Sequence, residues 1–226
     1  MSEVNNNNVH RHDAEHGNAS EKYSHSVNLS RATRAGHITP DLERLAKYDE
    51  YPAKIRKKKL KKMLWFIIYC GVLPQAAYEY GLLCGAVIVS ENPLQIAVMA
   101  EVQFVKYAPV CWGVKCFTVN ELPLHTIAKG ERVPCAVMFG EPMPFAGVWS
   151  EMEPQPVCWA TADTAVLQKA ASDIDEYEWK LVETLVQKAI ERDDVDFTKE
   201  IAYFNKDLSP RTDLQEKPEK QQKKIK

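Results

Sequence analysis

The amino-acid sequence predicts an α+β fold, with N-terminal helices, a mainly antiparallel sheet and a long C-terminal amphipathic helix. Stretches that are rich in β-branched residues, or that alternate apolar with polar residues, follow one another over 82–163 between turn-rich connections. Apolar residues at helical spacing follow at 173–193. Since the 226 residues are 45% hydrophobic and 27% charged, we expect a single globular domain, at 40–205.

Both ends of the chain are predicted to be disordered. Residues 1–39 are rich in Asn, His, Ser and charged groups, and residues 206–226 form a basic tail, so neither segment buries enough apolar surface to offset its ordering entropy. The net charge of −2 by itself implies neither a nucleic-acid binder nor a strongly acidic protein. The charges are nevertheless segregated, because acidic residues gather at 171–200 while basic ones crowd near position 60 and at the C-terminus.

The first helix is predicted from "TPD" at 39–41, which combines a capping hydroxyl, a proline for the first turn and an acid near the positive end of the helix dipole. Leu42 and Leu45 supply its apolar face before Pro52 ends it. A second helix, basic and then apolar, is expected at 53–70.

Segment 54–62 stands out because seven of its nine residues are Lys or Arg, and the following 63–69 is almost entirely large and apolar. One interpretation is a membrane anchor over 54–89, although Pro74 and Glu79 interrupt it well before the roughly 20 apolar residues that a span needs. The other interpretations are a helix lying on an anionic membrane, contact with nucleic-acid phosphates, and a solvated basic turn that enters a buried helix. The candidate binding residues are Lys54, Arg56, Lys57, Lys58, Lys59, Lys61, Lys62, Trp65 and Phe66.

Strand patterns begin after Gly81. "LLCGAVIVSE" ends at Asn92-Pro93, "LQIAVMAEVQFVKY" follows, and "CWGVKCFTVN" precedes the turn-rich "ELPLHTIAKGERVP". Two short strands are expected in "CAVMFGEPMPFAGVW" and one more in "VCWATAD". The string "PVCW" occurs at 109–112 and again at 156–159, and we interpret both copies as strand starts in which Val and Trp face one side and Cys the other.

The C-terminal helix is predicted from a capping pattern, Ser172 with Asp175 three residues later. It should end near Asp193. Its inward stripe is expected to consist of Ile174, Tyr177, Leu181, Leu185 and Ala189.

The six cysteines lie among apolar neighbours and form no CxxC pair. We expect free, buried thiols and a cytoplasmic, reducing location. The alternative is a metal site in which three thiolates and one imidazole converge, although their spacing matches no standard zinc motif. Its ligands would be Cys111, Cys116, His125 and Cys135.

No motif for catalysis or phosphate binding is present: the chain contains neither GxSxG nor HExxH, and its glycines in the domain are isolated. A reactive thiol needs a base or a helix N-terminus, and the residues around Cys111 and Cys158 supply neither. His125 could serve as a general base on paper, but we interpret it as a turn or core residue. The sequence therefore favours a protein without an active site or cofactor.

The hairpin-like "CAVMFGEPMPFAGVW" followed by "PVCWATADTAV" and a helix resembles the GNAT acyltransferase fold, and more narrowly the degenerate GNAT-like internal virion proteins of short-tailed bacteriophages. The positions that carry the resemblance are Cys135, Gly140, Pro142, Ala146, Cys158, Trp159, Thr161 and Asp163. It implies a phage or mobile-element protein, located in the virion. An active member would bind acyl-coenzyme A and use Glu151, Glu153 or His125 as base. The glycine-rich turn for the pyrophosphate is missing, however, since 161–174 contains no glycine.

We therefore expect a non-enzymatic accessory or interaction protein that acts through the basic segment and the apolar residues beside it. Its expected partners are another protein, the inner face of an anionic membrane or a nucleic-acid backbone. A GNAT-like acyltransferase and a protein anchored in the inner membrane by 54–89 are the alternatives.

Overall fold

The computed structural model describes residues 35–48, 74–105 and 108–215. The α+β prediction is confirmed, because helices pack against a six-stranded antiparallel sheet. The helices are α1 (Leu42–Tyr48), α2 (Pro74–Tyr80), α3 (Val157–Ala160), α4 (Thr164–Asp173) and α5 (Glu176–Ile190), with a 3₁₀ turn at Thr212–Leu214. The strands are β1 (Leu82–Glu91), β2 (Leu94–Glu101), β3 (Cys111–Thr118), β4 (Arg132–Phe139), β5 (Pro142–Met143), β6 (Val148–Trp149), β7 (Met152–Pro156) and β8 (Ala202–Asn205).

The main sheet has the strand order β7-β4-β1-β2-β3-β8, and β5 and β6 form a separate hairpin. The strand β1 lies near the middle, where Cys84 faces Cys135 of β4 and Val87 faces Ala97 of β2. A central strand is buried on both faces, which explains the uninterrupted apolar run in its sequence. Both edges of the sheet are protected against pairing with another strand. The edge strand β7 carries two prolines, and the chain after the other edge strand, β8, folds back so that the Arg211 backbone N–H donates to the Tyr203 carbonyl.

One face of the sheet packs against α5. Val87, Met99 and Val114 contact the buried side of this helix, which includes Leu181 and Leu185. The helix starts at the N-cap Asp175, whose carboxylate accepts a hydrogen bond from the Tyr177 N–H. The opposite face of the sheet contributes to a second cluster together with side chains from the other helices, among them Leu45, Tyr78, Trp159 and Ala170.

The predicted C-terminal helix 173–193 corresponds to α5, which runs from Glu176 to Ile190, and the helix α4 before it was not predicted. The capping residue is Asp175 alone, and Tyr177, which we placed in the inward stripe, is 72% exposed. Trp179 is buried instead. The rest of the predicted stripe is buried as expected, although Ile174 has extended backbone dihedrals and precedes the helix.

The interpretation of both "PVCW" copies as strand starts is correct for Cys111 and wrong for Cys158, which lies in α3. The helical turn buries four consecutive side chains, those of 157–160, whereas a strand would direct them alternately to two sides. The sheet region accordingly ends at Pro156 and not at 163.

Three further boundaries differ from the predictions. Residues 35–39 belong to the fold, since Gly36 and Ile38 bond to the backbone of 78–81. Residues 206–215, predicted as tail, fold against β8, and the Gln215 side chain donates to the Ile201 carbonyl. The stretch 82–89 of the proposed membrane anchor is β1, in the core of the sheet.

Candidate functional site

The basic segment lies outside the described residues, and with it all nine candidate binding residues between Lys54 and Phe66 and the predicted helix 53–70. Its two flanking helices are described, and both are fixed to the junction between β7 and α3. Within the described part of the chain, no helix is long and apolar enough to cross a membrane.

The helix α1 is held to α3 by two hydrogen bonds to backbone carbonyls. Arg44 donates from Nε to the Cys158 carbonyl at 2.9 Å, and the Asp41 backbone N–H donates to the Ala160 carbonyl at 2.8 Å. Asp41 also caps α1, because its carboxylate accepts from the Glu43 and Arg44 backbone N–H groups. The predicted helix start at 39–41 is therefore correct, with Asp41 rather than the Thr39 hydroxyl as the cap.

The helix α2 reaches the same junction through Tyr78, whose side chain is fully buried and whose hydroxyl donates to the Pro156 carbonyl at 3.3 Å. Carbonyls of the short stretch 156–160 thus accept hydrogen bonds from both helices. The two helices on either side of the basic segment are consequently both bound to one element of the domain. Sequence reasoning missed these anchors, because the side-chain donors Tyr78 and Arg44 lie 78 and 114 positions from their backbone carbonyl acceptors, and no local pattern marks such a pair.

Basic and acidic residues are distributed unevenly between the described residues and the rest of the chain. The described residues carry 12 Lys and Arg against 23 Asp and Glu, whereas the remainder of the chain carries 17 against 8. The basic segment 54–62 supplies seven of those 17. A basic segment is therefore tethered to an acidic domain, a distribution that the net charge of −2 conceals.

The candidate nucleophiles are buried thiols. Burial raises the pKa of Cys111 to about 11, although the Arg211 guanidinium lies close enough to oppose the shift. Burial likewise raises the pKa of Cys158 to about 12, with a smaller opposing effect from Arg44. Because the thiolate is the nucleophilic form, these raised pKa values disfavour a nucleophilic role for either residue.

The proposed metal ligands are not brought together. Cys111 and Cys116 lie five positions apart in one regular strand and so point to opposite faces of the sheet. Cys135 lies in the core next to Cys84 and Cys158, and burial raises its pKa well above the usual range. Among the described residues, no group of three or more His, Cys, Asp or Glu side chains is placed to hold a metal ion.

His125 is bonded to a carboxylate rather than to a thiol. Its Nδ1 lies 2.9 Å from Glu131 Oε1, which also accepts the Thr126 backbone N–H at 3.0 Å. The imidazole is only 7% exposed, and its Nε2 has no hydrogen-bond partner in the described part of the chain. The pair closes the loop before β4, which fits the interpretation of His125 as a turn residue.

Glu151 and Glu153, the other candidate bases, lie at the far end of β4 from His125. The Gly140 N–H donates to the Glu151 carbonyl just after β4 ends, and Glu153 pairs with Met138. Since a strand rises about 3.3 Å per residue, the two ends of β4 are roughly 20 Å apart. The candidate bases therefore form no common site with His125.

A family model described as "Protein of unknown function (DUF3239)" matches residues 72–189. The chain belongs to this family. The matched residues of this DUF3239 protein run from just before α2 to the end of α5 and leave out the basic segment and β8.

Among solved structures, the DUF3239 protein is similar to a chain described as "a putative membrane protein from Corynebacterium diphtheriae". The two are 22% identical with a TM-score of 0.46, and the likeness covers 51% of this chain and 95% of the other. No curated relative matches the chain. The resemblance to GNAT-like virion proteins stays a prediction, and the strand that it assigned to Cys158 and Trp159 is α3.

Proposed function

We propose that this DUF3239 protein is a non-enzymatic accessory protein that binds the inner face of an anionic membrane peripherally. Segment 54–62 would contact lipid headgroups, with Trp65 and Phe66 at the interface between headgroups and acyl chains. The observation that carries the proposal is the charge division between an acidic domain and a basic segment that is tethered to it at both ends.

The arrangement favours an oriented contact. Each Lys or Arg near an anionic surface contributes about 1 kcal/mol to binding, so seven clustered residues suffice for peripheral attachment. The acidic domain is repelled by the same surface and would remain in the aqueous phase. Because α1 and α2 both bind 156–160, the two helices that flank the basic segment are fixed to one element of the domain.

The absence of enzymatic activity is part of the proposal. It is supported by the buried state of Cys111 and Cys158, whose raised pKa values keep both thiols protonated at neutral pH. The distance between His125 and Glu151 supports it as well. Acyl transfer on a GNAT-like core remains the alternative, and it requires that acyl-coenzyme A stabilise the protein against heat.

Vesicle sedimentation tests the proposal. The full chain is mixed with vesicles of phosphatidylserine and phosphatidylcholine, and with vesicles of phosphatidylcholine alone. We expect sedimentation with the anionic vesicles only, release by high salt, and loss of binding when the seven basic residues of 54–62 are replaced by Gln. The matched control replaces five lysines of the C-terminal tail by Gln and should still bind. The control residues are Lys217, Lys220, Lys223, Lys224 and Lys226.

Two results would overturn the membrane assignment. One is equal sedimentation of the wild-type chain and the 54–62 variant. The other is salt-sensitive binding to duplex DNA without binding to vesicles, which would assign the basic segment to nucleic-acid phosphates instead.

A further inference from the structure

The hairpin of β5 and β6 presents an aromatic side chain that contacts little of its own chain. Between the two strands, Met143 accepts backbone hydrogen bonds from Ala146 at 3.1 Å and from Gly147 at 2.9 Å, which closes a tight turn. Phe145 lies in that turn with a relative exposure of 107%. Such exposure leaves the whole apolar ring in water, and aromatic side chains are enriched at the centres of protein interfaces.

The hairpin is held firmly in place. Phe104 donates its backbone N–H to the Gly147 carbonyl at 3.0 Å, and Trp149 donates to the Val102 carbonyl at 2.9 Å. The Trp149 ring packs against Phe104, with centroids 4.9 Å apart, and stacks on Phe139 at 6.1 Å. A rigid support lowers the entropy lost on binding, so the position of Phe145 is prepared for a partner.

The apolar surface extends beyond the aromatic ring. Val105 is 40% exposed, and its Cγ2 lies 3.3 Å from where a Cβ on Gly147 would be, so the two chain segments touch. Gly147 has φ +68°, which a side chain would strain. Pro144 is exposed beside Phe145. We call Val105, Pro144 and Phe145 the hairpin surface.

The charged residues on either side of the hairpin of β5 and β6 are acidic. Glu141 precedes β5, and its carbonyl accepts from the Ser150 N–H and hydroxyl. Glu151 follows β6, and its side chain lies where a Cβ on Gly140 would be. Both side chains are exposed, and the sequence 133–168, which contains the hairpin, has no Lys or Arg.

We propose that the hairpin surface binds a protein partner by inserting Phe145 into an apolar pocket that is rimmed by Lys or Arg. An aromatic anchor in a pocket is the common centre of a protein interface, and the neighbouring glutamates match a basic rim. The same glutamates oppose insertion into an anionic membrane. This interface uses other residues than the basic segment, has the opposite charge and does not depend on the membrane proposal.

Site-specific photo-crosslinking in the native host tests this interface. A photoreactive phenylalanine replaces Phe145, and in a matched control it replaces Tyr177, a 72% exposed aromatic residue on α5. We expect one protein to crosslink at position 145 and not at 177. That protein is then purified, and its affinity is measured for the wild-type chain, Phe145→Ala, Tyr177→Ala and the Glu141→Gln, Glu151→Gln double variant.

The expected result is an affinity loss of about tenfold or more for Phe145→Ala, with no change for Tyr177→Ala. The double Glu→Gln variant should bind more weakly and lose most of the salt dependence. Since Phe145 contacts little of the fold, its replacement should leave the melting temperature unchanged. The proposal is overturned if no protein crosslinks specifically at 145, if Phe145→Ala binds as the wild type does, or if Phe145 instead governs binding to phosphatidylcholine vesicles.

Discussion

Gly85 of β1 lies directly beneath the indole ring of Trp179, so that a Cβ atom at position 85 would come within 2.7 Å of the ring carbon Cζ3. The glycine lets α5 approach the centre of the sheet. We predict that Gly85→Ala lowers the free energy of unfolding by about 1–3 kcal/mol, because the helix or the ring must move. Urea unfolding of the variant and the wild type measures this difference in free energy. Ser90→Ala, at the less buried end of the same strand, should change stability by less than about 0.5 kcal/mol.

A double-mutant cycle connects that effect to the ring. If the close approach of Gly85 to the indole ring is the cause, Gly85→Ala lowers the free energy of unfolding much less in a Trp179→Leu background, because the smaller side chain leaves space for the methyl group. An equal loss of unfolding free energy in both backgrounds would show that the Trp179 ring is not the cause of the destabilisation.

Arg44 is predicted to stabilise the junction between the N-terminal helices and α3. Arg44→Met removes the donor to the Cys158 carbonyl and leaves that buried acceptor unpaired, which we expect to cost about 1–3 kcal/mol in thermal or urea unfolding. Lys47→Met changes an exposed side chain of the same helix and is the control. If the Arg44 variant and the Lys47 variant unfold at the same temperature or urea concentration, the hydrogen bond to the Cys158 carbonyl does not contribute to stability.

Thiol reactivity tests the assignment of the cysteines as structural residues. The described cysteines are all buried, and three of them have pKa values raised to about 11 or 12. In a Cys70→Ser variant, we expect no rapid reaction with Ellman's reagent at pH 8 in the folded state, and reaction of the remaining thiols after denaturation. Rapid modification of Cys111 or Cys158 in the folded variant would restore them as candidate nucleophiles.

Asp196 provides a prediction for acidic pH. Hydrogen bonds from Lys199 and Thr198 lower the pKa of this carboxyl from 3.8 to about 2. A pKa that is lower in the folded protein stabilises it above the unfolded value, and this contribution disappears as the pH falls from about 3.8 to about 2. The stability difference between wild type and Asp196→Asn should therefore shrink over that range.

Carboxyl titration by NMR measures the same shift directly. Lys199→Met is expected to move the pKa of Asp196 back toward 3.8, whereas Lys169→Met, a change on α4, should leave it in place. An Asp196 that titrates near 3.8 in the wild-type chain would rule out the bond to Lys199.

The elements that sequence reasoning located correctly have strong local signals. The apolar run of β1 and its end at Asn92-Pro93, the strands β2 to β4 and the start of α1 all follow from patterns within about ten residues. The second "PVCW" copy lacked such a signal. Its conformation depends on hydrogen bonds from Arg44 and Asp41, which are more than a hundred positions away.

The same distinction between local and long-range features applies to the candidate site. The composition of 54–62 is evident from the sequence, as is the lack of any catalytic motif. The hydrogen bonds that anchor its flanking helices are not evident from the sequence, because every residue has a backbone carbonyl and no residue type marks which one accepts. The exposure of Phe145 was missed as well, although an aromatic residue within a proline-rich turn between two glutamates is a signal that could have indicated it.

The sequence by itself determined the fold class, most of the strands, the burial of the cysteines and the separation of basic from acidic segments, because periodicity, composition and charge are local properties. Only the tertiary structure decided that Cys158 is helical, that 206–215 completes the sheet edge, that α1 and α2 meet at one junction, and that Phe145 faces solvent. Those features depend on which distant backbone groups satisfy one another's hydrogen bonds and on how closely α5 approaches the sheet, and neither is encoded within any single stretch of the chain.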